Sequence, residues 1–414
     1  SAMPTFPHIL IIGAGAAGLH AGYLLHQSGL DFQLLEASDR IGGRLGKVED
    51  GFSDLPLDMG AEWLHGKKSL VGTLVKQTQT TITKDKGKGR YWFQGRLKKK
   101  LPKDVWEMFE QEGLPDVSYR AYGEQMGLYP EYEQVVEGIA GDFGAAADQI
   151  SAYWKIQEEQ AWSSGSKDYK FARTYFDLIE EQWARPIRNH IRLNTAISRI
   201  DLRSDRIELT DEAGATFTAD KVILTVPIPI LQAGDIEFVP PLPKAKMEAF
   251  QKIGMGPGMK VFLRFSTAFY HQGIFGGSGC AAYVDERIGK EGEDHVLMAF
   301  IMGKQAAALS ALASDQAITQ ALLAELDEMY KGQASESFLD ARVIDWGKHP
   351  FIRGAYSFST VGMGDARFIA AQPIENRLFF AGEAMNLNGH HQTVHGAAET
   401  GQEAVEWVLR KRLG

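Results

Sequence analysis

The sequence contains a single cysteine, Cys280, among its 414 residues. One thiol cannot form a disulfide within the chain, and it cannot build a metal site from several cysteines. The scarcity of cysteine fits a reducing compartment, so we expect a cytoplasmic protein. The sequence also lacks an apolar run of the ~18 residues that a membrane-spanning helix needs, so we expect a soluble protein without a membrane partner.

Basic residues are outnumbered by acidic residues. Lys and Arg together number 44 against 53 Asp and Glu, which gives a formal net charge of −9. An acidic chain is not a general nucleic-acid binder, and we expect no nucleic-acid partner. Residues 84–103 are locally basic, but Gln94-Gly95 between apolar residues indicates a solvated surface hairpin there. The sequence leaves the oligomeric state open.

Glycine, by contrast, is plentiful, with 44 residues. Three of them form the pattern Gly13-x-Gly15-x-x-Gly18, which follows the apolar residues 8–12 and opens a helical stretch. Gly13 permits a tight turn, Gly15 lets the backbone approach a pyrophosphate, and Gly18 lets the helix pack on the strand. With a further apolar run at 31–35, the pattern predicts a βαβ unit whose helix begins at a phosphate site.

An acidic residue and a second glycine cluster extend this site. Glu36 ends the second predicted strand, 23 residues after Gly13. A carboxylate there accepts hydrogen bonds from ribose hydroxyls and repels the 2′-phosphate of NADP. Gly42-Gly43-Arg44 follows, and its guanidinium suits a second contact on the pyrophosphate. This second cluster favours FAD over NAD.

The rest of the chain alternates between helical and strand patterns. Residues 104–190 are helical in character, and strand patterns return over 191–226, 259–265 and 296–301. A helix is predicted over 304–331, and the chain closes with a strand over 377–380 and a helix from about Ala397. Both ends of the chain resemble pieces of a nucleotide-binding fold, so we expect one domain to be discontinuous. Ser1-Ala2-Met3 is typical of residues left by an expression vector, and the fold is considered from Pro4 onward.

Three blocks of sequence resemble the flavin-containing amine oxidases, which include monoamine oxidases, polyamine oxidases and the flavin histone-lysine demethylases. The first block runs from ILIIGAGAAG through LLEASDRIGGR to LDMGAEWLHG. The second runs from KVILTVPIPIL through FVPPLP to IGMGPGMKVFLRF, and the third from DWGKHPFIRGAYSF through LFFAGEA to TVHGAAETG. The motifs are closest to those of the polyamine oxidases, whereas residues 104–190 and 270–340 match loosely.

The resemblance implies an α/β fold in which a discontinuous Rossmann-like FAD-binding domain carries an inserted α+β substrate domain with a six-stranded sheet. The expected FAD-binding segments are residues 1–66, 187–240 and 366–414, and the expected substrate segments are residues 67–186 and 241–365.

The resemblance also implies the residues that hold FAD. They are Gly13, Gly15, Gly18, Glu36, Gly43, Arg44, Ile197 (through its backbone to adenine), Gly382, Glu383 and Val394 (through its backbone to the flavin). For Glu383 the alternative is a structural salt bridge. Ala355 stands where monoamine oxidases carry the cysteine that bonds the flavin, so FAD is expected to be non-covalent. No metal is expected.

Two residues are implied in catalysis. Lys260 lies in the apolar strand pattern Met259-Lys260-Val261, where a lysine is usually at an edge or reaches to solvent. In the family, the matching lysine holds a water against flavin N5. Tyr356 matches an aromatic residue that guides the amine beside the flavin, and its alternative is core packing.

Three residues are implied at the substrate. His65 stands where polyamine oxidases have a His or Glu that helps to recognise the amine. Thr393 stands where monoamine oxidases and many polyamine oxidases carry a second aromatic ring. Glu62 either contacts the substrate or is a solvated carboxylate.

The expected reaction is the oxidation of a primary or secondary amine, with a polyamine among the candidates. The amine gives an imine and then an aldehyde, while O2 is reduced to H2O2. The first alternative is an L-amino acid oxidase, but Glu62-Trp63 stands where those enzymes carry an arginine for the substrate carboxylate. The second is a non-redox flavoprotein such as a mutase, which does not need Lys260 or Tyr356.

Overall fold

The computed structural model of the chain describes residues 7–414. Ser1-Ala2-Met3 and the start of the first predicted FAD-binding segment therefore lie outside the described residues. The strands in chain order are β1 (Ile9–Ile12), β2 (Phe32–Leu35), β3 (Trp63–His65), β4 (Ile82–Lys84), β5 (Arg90–Phe93), β6 (Arg96–Lys98), β7 (Asp168–Phe171), β8 (Ile191–Arg192), β9 (Ile197–Asp201), β10 (Ile207–Asp211), β11 (Thr216–Ala219), β12 (Lys221–Leu224), β13 (Glu237–Val239), β14 (Ile253–Met255), β15 (Gly258–Phe265), β16 (Gly273–Phe275), β17 (Ala282–Asp285), β18 (His295–Met302), β19 (Phe338–Asp345), β20 (Ser357–Ser359) and β21 (Leu378–Phe380).

The helices are distributed along the whole described chain. They are α1 (Ala16–Gln27), α2 (Leu70–Thr78), α3 (Val105–Met108), α4 (Tyr119–Gln125), α5 (Glu133–Asp142), α6 (Ala152–Ala161), α7 (Tyr175–Ile179), α8 (Ile228–Gln232), α9 (Lys244–Lys252), α10 (Gly303–Ser310), α11 (Asp315–Tyr330), α12 (Gln333–Ser337), α13 (Ala366–Ala371) and α14 (Val394–Leu409). Among the described residues, none of these helices is both long enough and apolar enough to cross a membrane.

A five-stranded parallel sheet in the order β21-β12-β1-β2-β8 supports the nucleotide-binding turn. Its central strand β1 is buried throughout. Ile9 and Ile11 pack into one hydrophobic cluster, with α1 and α14, while Leu10 and Ile12 pack into a second cluster on the opposite face. A parallel sheet covered on both faces is the arrangement that a continuous apolar run predicts. The predicted α/β class, with its Rossmann-like unit, is confirmed.

A second, seven-stranded sheet has the order β19-β15-β18-β17-β16-β5-β6. The resemblance implied six strands. The hairpin β5–β6 supplies two of the seven, through parallel pairing of β5 with β16. The hairpin turns at Gln94-Gly95, where both residues have positive φ, as its sequence predicts. It is not the fully solvated hairpin that we expected, because Phe93 is buried against the helical segment.

The segment over 104–190 is mainly helical, as its pattern predicts, and α3, α4, α5 and α6 form most of a hydrophobic core of their own. It also contains β7, which its sequence did not predict. β7 pairs with both β3 and β4 in a three-stranded antiparallel sheet. This pairing brings the segment against the residues that follow the predicted cofactor loop. The numerical domain boundaries given above stay a prediction.

Candidate active site

The turn between β1 and α1 has a different steric requirement at each glycine. Gly13 has φ +109°, and a Cβ on it would lie 2.3 Å from Oγ1 of Thr225. A Cβ on Gly18 would lie 1.8 Å from the carbonyl oxygen of Gly13, so only glycine lets α1 pack so close. A Cβ on Gly15 would instead meet no protein atom nearer than 4.0 Å. The space at Gly15 is therefore free for a ligand.

The loop after β2 folds over this turn. The N–H of Gly42 donates to the carbonyl oxygen of Ala14 at 2.7 Å, and a Cβ on Gly43 would approach Cα of Gly15 to 3.2 Å. The guanidinium of Arg40 holds the loop by donating to three backbone carbonyl oxygens of the loop. Helix α1 has no side-chain cap at Gly15, so its first N–H groups are available to an anion. The two loops form a cradle that fits the pyrophosphate of a dinucleotide.

Glu36 lies at the end of β2 with its carboxylate directed at the cradle. It accepts the N–H of Ala14 at 2.8 Å and that of Ser38 at 2.7 Å. These two bonds leave a lone pair on each oxygen for ribose hydroxyls. A cleft of about 660 Å³ opens beside it, lined in part by Ser38 and by Ala196. Ile197, the expected adenine contact, follows Ala196 as the first residue of β9, and its side chain is buried.

Replacing Glu36 with alanine is expected to reduce the flavin content of the purified protein. The change removes two expected bonds to ribose, and bonds to a charged group contribute about 1.5–3 kcal/mol each. The ratio of flavin absorbance to protein measures the occupancy. Asp31→Ala is the matched control, because Asp31 is an exposed acid that pairs with His8 near the other end of the same sheet. Equal flavin content in Glu36→Ala and Asp31→Ala would contradict the assignment.

Glu383 joins three distant segments of the chain. Its carboxylate accepts a guanidinium N–H of Arg44 at 3.0 Å, the N–H and hydroxyl of Ser357, and the N–H of Gln392. Burial alone would raise the pKa of Glu383, but the charges of Arg44 and Arg367 and the bonds from Ser357 lower it to about 2. The salt bridge that we held as the alternative is therefore present. Contact of either residue with FAD stays a prediction.

The C-terminal loop ends in a capped helix. Gly382 donates its N–H to Oγ1 of Thr400 at 2.8 Å, which ties the end of β21 to α14. Helix α14 begins at Val394, three residues before the predicted start, because Thr393 caps it. Oγ1 of Thr393 accepts the N–H of Gly396 at 2.9 Å and donates to the carbonyl oxygen of His390 at 2.6 Å. The hydroxyl of Thr393 therefore serves as the helix cap, which leaves its methyl group for any contact with a substrate.

Lys260 is buried, with 4% of its surface exposed. Its ammonium donates to Oε1 of Glu62 at 2.6 Å and to the carbonyl oxygen of Asp58 at 3.2 Å. The other oxygen of Glu62 accepts a bond from Lys170 at 2.8 Å. Burial would raise the pKa of Glu62, but the two lysines lower it well below its usual value. Glu62 is therefore not the solvated carboxylate that we held as one alternative.

Tyr356 is half-buried and forms a hydrogen bond to the helical segment. Its hydroxyl donates to the carbonyl oxygen of Asp142 at 2.5 Å, and its ring packs against Gly144. The side chain of Asp142 is accessible to solvent. Enough protein surrounds it, however, that burial raises the pKa of its carboxyl group, while the charge of nearby His65 lowers that pKa. We refer to the surface formed by Tyr356 and Asp142 as the wall. His65 is itself accessible, and its Nδ1 lies 2.8 Å from the carboxylate of Asp168.

The sequence did not identify Asp142 or the partners of Lys260. It also missed a buried group of His390, His395 and Glu399 whose ligand atoms lie within 4.8 Å of one another. Nδ1 of His390 bonds to Glu399 and its Nε2 approaches Ser164, which also contacts Nε2 of His395. Burial lowers the pKa of His395 to about 3, so its ring is neutral. Within the described chain these hydrogen bonds explain the cluster without a metal ion.

The parallel sheet, its glycine turn and the uncapped helix behind that turn define a dinucleotide-binding protein. Within that class the chain belongs to the family of flavin-containing amine oxidoreductases, whose model matches residues 16–174 and 106–409. The family inferred from the three sequence blocks is confirmed, and with it the expectation of a flavin cofactor.

Curated relatives agree with this family, and a solved structure agrees with the fold. The chain is 30% identical to "Lysine-specific histone demethylase 1B" of Mus musculus over 95% of its length, but it spans about half (52%) of that relative. It is 28% identical to "Polyamine oxidase 3" of Oryza sativa subsp. japonica, covering 97% of this chain and 88% of the relative. A structure of putrescine oxidase bound to putrescine superposes with a TM-score of 0.83 at 20% identity, covering 98% of this chain and 100% of the other. At that identity the structural match supports the fold alone.

Proposed function

We propose that the chain oxidises a primary or secondary amine with non-covalently bound FAD and O2. The observation that carries this proposal is the pairing of Tyr356 with the helical segment at Asp142, which places an aromatic ring beside an accessible carboxylate. An ammonium group is attracted both by the carboxylate and by the face of the ring, and the ring contributes about 0.5–2 kcal/mol. Asp168 contributes a further carboxylate close to Asp142, and Nδ1 of His65 lies 2.8 Å from it.

The residues of the chain bind and orient the amine. FAD, when bound, supplies the acceptor for the electron pair of the amine α-C–H bond and passes those electrons to O2, which gives H2O2. Asp142 and Asp168 attract the ammonium form, and Tyr356 aligns the amine once it has lost its proton. The side chain of Lys260 supplies a cation in a buried setting, where it stabilises developing negative charge more than it could in water. The imine product is hydrolysed to an aldehyde with release of ammonia or a smaller amine.

The L-amino acid oxidase alternative gains no support from the site. Such an enzyme needs a free cation for the substrate carboxylate, but both lysines near the Asp58–Glu62 turn are bonded to Glu62. The accessible carboxylate of Asp142, on the residue that holds Tyr356, would repel a substrate carboxylate. A mutase would have no use for an acidic wall of this kind.

A peroxide-coupled screen of the yellow protein tests the proposal. The panel contains monoamines, di- and polyamines, N-methyl-lysine peptides and L-amino acids. We expect H2O2 with at least one amine and none with L-amino acids. Flavin-loaded protein that produces no H2O2 with any amine of the panel would refute the proposed reaction.

Acid precipitation of the purified protein is expected to release its flavin into the supernatant. The reason is that Ala355 stands at the attachment position, and Cys280 is buried in the core of the seven-stranded sheet. Absorbance of the supernatant and the pellet measures the release. Flavin that stays with the denatured pellet would show a covalent link.

Among amines, we expect putrescine and spermine to be better substrates than benzylamine. The single ring of Tyr356 and the two acidic side chains suit an extended cation, whereas no second ring forms a flat slot at Thr393. Steady-state kinetics compare kcat/KM for these amines. A tenfold preference for benzylamine, equivalent to about 1.4 kcal/mol, would contradict the polyamine preference.

The same kinetics test Asp142. Asp142→Asn is expected to lower kcat/KM for putrescine about tenfold, mainly through a higher KM, because it removes one charge from the wall. Asp148→Asn is the matched control, since Asp148 is an exposed acid on the same segment. Equal kinetics for the two variants would remove Asp142 from the substrate site.

A further inference from the structure

Three buried lysines and two buried glutamates form a chain of alternating charge. Glu62 pairs with Lys260 at 2.6 Å and with Lys170 at 2.8 Å. Lys170 also lies 3.7 Å from Glu286, which pairs with Lys290 at 2.7 Å. The side chains of all five residues are at most 5% exposed. We refer to these five residues as the lysine–glutamate chain.

The lysine–glutamate chain lies against the predicted cofactor cradle. The N–H of Met59 donates to the carbonyl oxygen of Gly46 at 2.8 Å, and that of Ala61 donates to Arg44 at 3.1 Å. The turn that carries Glu62 therefore runs directly beside the loop that carries Gly43 and Arg44. Lys170 reaches this turn because β7 pairs with β3, which begins one residue after Glu62.

The charges of the lysine–glutamate chain do not cancel. Three ammonium groups face two carboxylates, so the five residues carry one excess positive charge. Without Lys170, the carboxylate of Glu62 would neutralise Lys260, whose ammonium would then lose most of its effect. A sixth buried group, Asp58, accepts the N–H of Tyr175 at 2.9 Å. Burial raises the pKa of Asp58 to about 7, so its carboxylate removes only part of the excess charge at neutral pH.

We propose that Lys170 and Lys290 are positioning residues that act through Glu62 and Glu286 to hold the ammonium of Lys260 and to keep the lysine–glutamate chain cationic, which raises the reduction potential of bound flavin. The inference rests on the proposed function for the presence of that cofactor. A flavin gains negative charge on reduction, and a cation that is out of water stabilises that charge more than one in solvent. Neither Lys170 nor Lys290 needs to touch the cofactor for this effect.

Charge variants of opposite sign test the proposal in the holoenzyme. We expect Lys170→Met to lower the midpoint potential of the bound flavin and Glu62→Gln to raise it, measured by spectroelectrochemical titration without any amine. Because the same positive charge also stabilises the negative charge that O2 gains, we expect reduced Lys170→Met to react with O2 about tenfold more slowly and reduced Glu62→Gln to react faster. Lys170→Arg keeps the charge and is expected to restore the potential of the unmodified protein.

The controls separate charge from damage to the fold. Lys246→Met removes another buried lysine, one that donates to three carbonyl oxygens at the end of α13, far along the chain from the cradle. Shifts of the same sign in Lys170→Met and Glu62→Gln, or shifts no larger than that of Lys246→Met, would overturn the inference. If Lys170→Met does not fold, the same test uses Lys290→Met, which is expected to lower the midpoint potential of the flavin, and Glu286→Gln, which is expected to raise it. If the protein oxidises an amine but the variants leave the midpoint potential unchanged, this inference alone is refuted. If the potentials shift but no amine is oxidised, the proposed reaction alone is refuted.

Discussion

Gly15→Ala and Gly18→Ala are expected to fail in different ways. Gly18→Ala should destabilise the protein by about 3 kcal/mol even without flavin, because the new methyl group would lie 1.8 Å from a backbone oxygen that cannot move aside. Gly15→Ala should cost the flavin-free protein less, about 1 kcal/mol, because alanine is a poorer helix N-cap than glycine. Its methyl group points into open space, so most of the loss should appear when the dinucleotide binds.

Two measurements distinguish these outcomes. Thermal unfolding of flavin-stripped protein reports the steric clash, and the flavin-to-protein ratio after reconstitution reports the cradle. We expect the flavin occupancy of Gly15→Ala to fall at least tenfold under conditions that nearly saturate the unmodified protein. Full occupancy in Gly15→Ala would mean that the pyrophosphate does not lie at this turn.

Lys260→Met is expected to slow the reaction of the reduced enzyme with O2 by about 10²-fold, while reduction by the amine slows much less. The reason is that the buried ammonium stabilises negative charge that develops when O2 is reduced. The variant should still fold, because Glu62 keeps its bond to Lys170 when Lys260 is removed. Stopped-flow absorbance follows the two half-reactions separately.

The rate of reduction by the amine serves as the internal control for Lys260→Met. A uniform loss in both half-reactions would indicate a general distortion of the site. An unchanged oxygen rate would leave Lys260 with a purely structural role in the sheet.

The features that the sequence predicted best are those that depend on a few neighbouring residues. The glycine turn, Glu36 and the buried run of β1 all follow from backbone requirements that act over a few residues, and the structure has them where they were predicted. The Gln94-Gly95 turn is of the same kind. The predicted start of α14 is three residues too late, because the side chain of Thr393 caps the helix and α14 begins at Val394.

The pairing of β7 could not be predicted from its sequence. Asp168–Phe171 is a short run of alternating polar and aromatic residues inside a helical region, and its strand partners lie about 85 to 105 residues earlier in the chain. A lysine is rarely buried, so nothing in the local pattern identified Lys170. Its burial depends on Glu62 and Glu286, which become neighbours only in the folded chain. Glu62 and Lys260 also become neighbours only in the folded chain, so the sequence did not predict their ion pair.

The packing of α1 against α14 determines when the cofactor cradle can be completed during synthesis. Gly401 of α14 lies so close to α1 that a Cβ on it would approach the carbonyl oxygen of Ala17 to 2.3 Å. β1 and α1 are made before the rest of this fold, but β1 pairs with β12, and β12 pairs with β21, which follows most of the described residues. The layers that support the glycine turn are therefore complete only after α14 has been made. We expect nascent chains that stop before α14 to leave the ribosome without flavin, which the absorbance of the released chains would measure.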